Sequence, residues 1–278
     1  MTMRRTSLLL IGVLVFVTAC QGGNPDDLLA TIKSRGEIVV ATDPAYPPQS
    51  EQLPDGSFEG FDIDVANEIG KRLGVDVTFA TPNFDEVVAG GWAGRFDISV
   101  GSVTVTEERQ GVLDFTEPYY YTPAQMAATE DSGITDLAGL ADMTVCVGAA
   151  TTYQSWLEGN LSLVGSPDPA EPPDGVEVTT FDTDTECADA VESGRTEFEG
   201  WLTSSTTLDN AITAGAPFVA VGDPVFFEAL AVATDKEGPA HDELQDELDR
   251  IIGEMHEDGT LTELSQKWFN GLDLTTAE

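Results

Sequence analysis

Residues 60–74 read GFDIDVANEIGKRLG. Phe61, Val65, Ile69 and Leu73 recur at every fourth position, the spacing that lines one face of an α-helix. Asp62 and Asp64 fall in the first turn, where carboxylates complement the helix dipole. Gly74 supplies a left-handed stop. Short apolar runs flank the stretch, EIVVATD (37–43) before it and VDVTFA (75–80) after it, and both read as strands. Strand, helix, strand is the unit of a parallel sheet, so these residues predict an α/β protein.

The same alternation extends outward. FDEVVAGGWAG reads as a weaker helix and FDISVGSVTV (96–105) as a strand. After YYYTPAQMAAT the pattern restarts. MTVCVG (143–148), VEVTTF, EFEGWLT, PFVAVG and ALAVAT read as strands, and TTYQSWLEG (151–159) and TECADAVESG as helices. The last stretch, PAHDELQDELDRIIGEMHEDGTLTELSQKWF, reads as two amphipathic helices divided at Asp258–Gly259. SPDPAEPPDG (166–175) is too rich in proline for either element and reads as an exposed loop. A restart near residue 124 predicts two α/β lobes, which suits a chain of 278 residues.

The amino terminus is an address. Arg4 and Arg5 precede an apolar run, Leu8 to Val17, that is too short to span a bilayer. VTAC then ends the segment in small residues and Cys20. This resembles the lipobox of bacterial lipoproteins, which implies cleavage after residue 19 and a lipid on the Cys20 thiol, with QGGNPDD as a flexible tether. Two cysteines remain, Cys146 and Cys187. An even remainder in an exported chain favours a disulfide between the first, in a strand, and the second, at a helix start. The formal charge is −38, with 50 acidic and 12 basic residues. Such a surface repels nucleic acid and anionic membrane. Its plain reading is solubility.

Ligands in open α/β sheets sit at the carboxyl ends of strands. Asp43 and Tyr46 follow IVVAT. Asn83 and Phe84 follow VTFA. Gly101, Ser102, Thr104 and Arg109 follow FDIS, Ala150, Thr151 and Thr152 follow TVCVG, and Thr203 and Ser204 follow EFEGW. Aromatic rings, hydroxyls, one arginine and a helix start are the equipment for a small zwitterion. A guanidinium holds a carboxylate through two parallel charge-assisted bonds.

GFDIDVANEIGKRLG resembles the signature segment of the family 3 extracellular solute-binding proteins, the polar amino-acid receptors of ABC importers. VATDPAYPP, FDISVGSVTVTEERQGVLDFTEPYY, VCVGAATTYQSWL and DGTLTELSQKWF match around it in order, so the resemblance covers roughly 37–270. It implies a two-lobed periplasmic-binding-protein-like fold of type II, with mixed, mostly parallel sheets and a two-stranded hinge. Residues 1–19 would be the signal peptide and 20–36 the tether and first helix. Residues 37–122 and 227–278 would form lobe 1, and 123–226 lobe 2. The resemblance further implies a lipid-anchored receptor outside the cytoplasmic membrane, or in a periplasm, that serves an ABC permease. The default state is a monomer without cofactor or metal.

By position in that resemblance, Arg109 takes the ligand α-carboxylate. Gly101 lies in the same segment, and Ser102 and Thr104 add hydroxyl or backbone bonds. Thr151 and Thr152 supply amides from the second lobe. Asp43 contacts the ligand side chain or caps a turn. Tyr46 and Phe84 form facing apolar walls or belong to the core.

One departure stands out. The family places an aspartate for the ligand ammonium where this chain reads GRTEFEGWLTSST, at or near Leu202. Glu199 on the same strand could replace it, with Thr203 beside it. Alternatively Trp201 joins Tyr46 and Phe84 as an aromatic cage for a cation, or is plain core. The ligand expected first is a polar or basic amino acid, then an ectoine- or betaine-like zwitterion. The rival from another class is an enzyme resembling cyclohexadienyl dehydratase on the same fold, for which Glu199 would have to be the acid. His241 and His256 lie on the polar C-terminal helices without metal-ligand spacing. No phosphate-binding loop or nucleophile elbow occurs. The chain therefore reads as a receptor rather than an enzyme.

Overall fold

The computed structural model describes residues 27–167, 169–195 and 197–277. The leader and Cys20 lie outside them. Helix α1 (Leu28–Arg35) leads into β1 (Glu37–Ala41), and a small antiparallel sheet follows, β2 (Ala45–Tyr46), β3 (Ser50–Gln52) and β4 (Phe58–Glu59). Then come α2 (Phe61–Leu73), β5 (Asp76–Ala80), α3 (Phe84–Val88) and β6 (Ile98–Thr104). Strand β7 (Leu113–Thr129) is 17 residues long and carries the chain into a second set. That set is β8 (Thr144–Gly148), α4 (Thr152–Leu157), β9 (Glu177–Phe181), α5 (Glu186–Glu192), β10 (Gly200–Ser204), α6 (Ser205–Ala214) and β11 (Phe218–Ala220). Strand β12 (Phe226–Asp235) returns, and α7 (Asp242–Glu257) and α8 (Thr260–Trp268) close the first set.

The main sheet runs β5-β1-β6-β12-β7-β10-β8-β9, with β11 also on β7. β5, β1 and β6 are parallel, and so are β10, β8 and β9. The long antiparallel pair β7–β12 joins the two groups, from Asp235↔Leu113 to Phe226↔Ala124. Its register shifts at Leu230/Ala231 and again before Ala233, opposite Pro118. Proline cannot donate to a ladder, so a shift beside it costs little pairing. Two parallel groups bridged by two shared strands make a two-lobed α/β molecule.

Helix α2 forms as its periodicity predicts. Phe61, Val65 and Ile69 are fully buried against Ile38, Val40 and Ile98 of the sheet and Leu248 and Ile252 of α7. Each such side chain contributes about 1.5–3 kcal/mol by leaving water. Gly74 ends the helix at φ 76°. Of its two early carboxylates, Asp64 accepts from Lys267 Nζ (2.6 Å) and Trp268 Nε1 (2.7 Å), tying α2 to α8. Asp62 is not a surface dipole partner at all; it is fully buried.

In the second lobe, Cys146 of β8 and Cys187 of α5 are joined in a disulfide. It lies in a core with Trp201, Phe198 and Phe218. Several elements differ from the sequence reading, the short strands β2, β3 and β4 among them. Helix α6 was not anticipated, because STTLDNAITA is polar and rich in β-branched threonine; Ser204 caps it by accepting from Thr207 N (3.2 Å). The restart near residue 124 is crossed without a break by β7, a strand the sequence reading did not name, and its Pro118 and Pro123 sit opposite β12. Among the described residues of 166–175 there is no helix or strand, and Trp156 Nε1 donates to Ala170 O there (2.6 Å).

Candidate functional site

The carboxyl ends of the parallel strands meet between the lobes at a partly open cavity lined by residues of both. Its first-lobe wall begins where β6 ends. A Cβ on Gly101 would stand 3.3 Å from Thr42 Cα, so the small residue lets β6 lie close to β1. Ser102 follows at φ 53°, a strained conformation for a residue with a side chain. Asp62 holds it there. Ser102 Oγ donates to Asp62 Oδ2 and Tyr119 OH to Oδ1, both at 2.8 Å, while Ser102 N donates to Tyr119 OH (3.1 Å). Burial pushes the Asp62 carboxyl up to about 7, against these hydrogen bonds.

One helical turn, Arg109–Gly111, comes next, and Arg109 N donates to Thr106 Oγ1 (3.2 Å). The guanidinium folds back into the cavity. Nη1 donates to Thr104 O and Nη2 to Ala150 O in the other lobe, both at 3.0 Å. The Phe84 ring lies 5.2 Å from Cζ, a cation–π contact. Arg109 is only 6% exposed, yet both of its side-chain hydrogen bonds go to carbonyls. Burial pulls its pKa down to about 10, opposed by the charge of Glu228. A buried guanidinium bonded to carbonyls is a strong site for a carboxylate, whose charge would offset its desolvation further.

The second-lobe wall is built on the ends of β8 and β9, with β10 behind it. Thr151 caps α4, accepting from Gln154 N (3.2 Å) and donating to Gly148 O (2.8 Å). Thr152 Oγ1 donates to Glu228 Oε1, which also accepts from Thr104 Oγ1 (2.7 Å), and Tyr153 OH donates to Oε2 (2.8 Å). Glu228, from β12, thereby holds residues of both lobes. Burial raises its pKa and the three hydroxyls oppose the rise. Tyr46 OH and Tyr153 OH are 3.2 Å apart across the cavity.

Asp184 lies in the turn between β9 and α5. Its Oδ1 accepts from Gly148 N (3.2 Å) and Trp201 Nε1 (3.3 Å), and Thr203 Oγ1 donates to Oδ2. Burial pushes its carboxyl up to about 7. Asp43 faces the same space with fewer partners: Oδ1 accepts from Ala45 N (2.7 Å), and burial raises its pKa too.

Of the residues singled out from sequence, Asp43, Tyr46, Phe84, Gly101, Ser102, Thr104, Arg109, Thr151 and Thr152 line this cavity. The hydroxyls of Ser102 and Thr104 are engaged with Asp62 and Glu228, so their backbone is what remains for a ligand. Three expectations need correction. Glu199 is outside the cavity, at the start of β10, where its Oε2 accepts from Thr144 N (3.2 Å); strand order puts it at the wrong end. Trp201 is fully buried in the disulfide core, 5.3 Å from the Phe218 ring, so it forms no cage with Tyr46 and Phe84. Thr203 stands behind the wall, donating to Asp184. Asp184, Glu228 and Tyr153 were missed. Asp184 could have been found by applying the strand-end rule to VTTF, and Glu228 by asking why a glutamate interrupts the apolar run FFEALAV.

Comparison with known proteins follows the same lines. The model of the bacterial extracellular solute-binding proteins, family 3, matches residues 38–271. The L-cystine-binding protein TcyJ of Escherichia coli (strain K12) is 29% identical over 252 residues, covering 90% of this chain and 88% of its own. An ancestral arginine-binding protein bound to arginine superposes with a TM-score of 0.72 at 27% identity, over 84% of this chain and 99% of that one. The ancestral amino acid-binding protein AncCDT-1, a precursor of cyclohexadienyl dehydratase, gives 0.73 at 28% identity, over 87% and 99%.

Proposed function

The chain belongs to family 3 of the bacterial extracellular solute-binding proteins, and on that premise we propose that it captures a polar amino acid, a basic one first, by closing two lobes around it. The carrying observation is the buried Arg109, whose guanidinium faces a cavity also lined by four carboxyl groups, the buried Asp184 and Glu228 and the more accessible Asp43 and Asp182. Arg109 receives the ligand carboxylate, with the backbone of Ser102 and Thr104 beside it. Asp184 receives the α-ammonium, taking the place of the aspartate absent from β10. Asp43 keeps Oδ2 for a cationic or amide group further out, and Tyr46 and Phe84 flank the chain between. One guanidinium against four carboxyl groups favours a ligand with more positive than negative charge. A ligand with two carboxylates fits this charge balance less well.

Lobe 1, 37–122 with 227–278, and lobe 2, 123–226, close about the β7–β12 pair. Closure excludes water and strengthens every charge pair inside. The closed shape is what a membrane permease of an ABC importer would recognise, with Cys20 carrying the lipid that keeps the receptor at the membrane. The binding reading is supported by relatives that bind amino acids, among them the L-cystine-binding protein and the ancestral arginine-binding protein, and Glu199, the acid first considered for catalysis, faces away from the cavity.

Isothermal titration calorimetry of the purified protein against L-arginine, L-lysine, L-histidine, L-glutamine and L-cystine tests this. The expected result is binding of L-arginine or L-lysine tighter than L-glutamine by about tenfold or more. Failure of every amino acid, with turnover of prephenate or arogenate, would move the protein to the enzyme class. Binding of ectoine or betaine alone would replace the ligand class and keep the receptor.

A further inference from the structure

Outside the cavity, one fully buried polar side chain crosses between the lobes. Gln49 is 0% exposed and does not line the cavity. Its backbone belongs to the tight turn Tyr46–Gln49, in which Gln49 N donates to Tyr46 O (2.9 Å). The first amides of α2 clamp that turn from behind. Phe61 N donates to Pro48 O (3.1 Å) and Asp62 N to Gln49 O (2.9 Å). Gly60 makes the clamp sterically possible: a Cβ there would lie 2.2 Å from Gln49 O. The turn is therefore a rigid part of lobe 1.

The amide itself reaches the start of α6 in lobe 2. Nε2 donates to Thr206 Oγ1 (2.8 Å) and to Ser204 Oγ (3.2 Å), and Thr207 Oγ1 donates to Oε1 (3.3 Å). Ser204, Thr206 and Thr207 are buried as well. Ser204 stands in the segment where the ammonium-binding aspartate was sought, so a neutral amide–hydroxyl cluster occupies the end of β10 in this chain.

We propose that Gln49 is a positioning residue for capture: a latch that sets how far the lobe equilibrium lies toward closure, for any ligand. The proposal rests on the lobe-closure reading above. A buried amide is tolerated only while its donors and acceptor are matched, and here all the partners come from the other lobe. Opening exchanges these bonds for water, so the latch favours the closed form by their modest net worth. Because Gln49 makes no contact with the cavity, it biases the equilibrium between lobe states without distinguishing ligands. Every ligand that needs the closed state should feel the same factor.

The test uses the purified protein with Gln49→Ala and with the milder Thr206→Val, which removes only one hydroxyl at nearly constant volume. Small-angle scattering without ligand reads the lobe equilibrium directly. The expected result is a larger radius of gyration for Gln49→Ala than for the wild type, with Thr206→Val between them. Calorimetry with L-arginine and with L-glutamine should show both weakened by a common factor, about tenfold for Gln49→Ala, and the double variant no weaker than Gln49→Ala alone. Unchanged scattering together with affinities within about twofold of wild type would overturn the latch. So would a loss confined to one of the two ligands, which would make Gln49 a contact residue. If neither amino acid binds, the ligand assignment fails, and the scattering series still decides the latch.

Discussion

The Arg109 end of the cavity and the Asp184 end carry opposite charges and are assembled in opposite ways. The Arg109 end is one continuous piece of chain. Residues 101–109 run out of β6, through a strained serine and into a helical turn that carries the guanidinium back to Thr104 O, while Ala150 O and the Phe84 ring meet it from outside that run. The Asp184 end is gathered from three strands. Gly148 of β8 and Trp201 and Thr203 of β10 all donate to a carboxylate in the β9–α5 turn, and the Cys146–Cys187 disulfide fastens β8 to α5 three residues beyond it. A continuous segment can be recognised from its letters. A site whose parts are scattered over more than fifty residues is recognised only after folding.

The sharpest way to break the comparison is at the Arg109 end. Arg109→Ala removes a charge-assisted partner from a desolvated carboxylate, so binding of L-arginine should weaken by at least about 2 kcal/mol. Calorimetry reads this directly. An affinity that survives the change would mean that the carboxylate is held elsewhere. The Asp184 end should matter less, because Gly148, Trp201 and Thr203 remain to fill the space around a neutral replacement. Asp184→Asn keeps the shape and removes the charge, and should cost about 1–2 kcal/mol for an amino acid. The loss should disappear for an analogue without the α-ammonium, such as 5-guanidinovalerate. An equal loss with that analogue would separate Asp184 from the ammonium.

How much could be read before folding follows the same division. Helix α2 was legible because four apolar residues repeat along one face, and the strands because each is a short apolar run between turn residues. The nine cavity-lining residues named from sequence sit in or near segments that follow a strand end. Asp62 shows the limit. A carboxylate in the first turn of a helix is ordinarily a solvated dipole partner, and only the closure of β6 and β7 over that turn makes it the support for Ser102. Trp201 shows another: β10 stands behind the cavity wall, so its tryptophan packs in the disulfide core and reaches the site only through Asp184. Strand β7 was obscured by its prolines, and α6 by threonines that cap and favour turns as readily as they enter a helix.

The two ends should also separate by pH, a smaller effect with an unambiguous sign. Asp184 and Asp62 both stand near 7 in the folded protein, against an ordinary aspartate value of 3.8, because burial penalises their charge. Between about pH 4 and pH 7 the folded chain therefore holds protons that the unfolded chain has released. Stability from these two groups is highest below that window and falls as pH rises through it. The self-repulsion of a chain with a formal charge of −38 acts in the same direction. Binding of an ammonium has the opposite slope, since it requires Asp184 ionised: affinity rises with pH up to about 7 and then levels. The Arg109 end contributes no slope here, because its pKa of about 10 leaves it charged throughout. Thermal unfolding of the purified protein between pH 5 and pH 8 should show the unliganded midpoint falling while the increment produced by saturating L-arginine grows. Asp184→Asn should flatten the growth of the increment. Asp62→Asn, at a residue behind the cavity wall, should flatten only the unliganded slope. An increment that stays constant across this range in the wild type would mean that no titrating carboxylate meets the ligand, and the charge asymmetry between the two ends would lose its functional meaning.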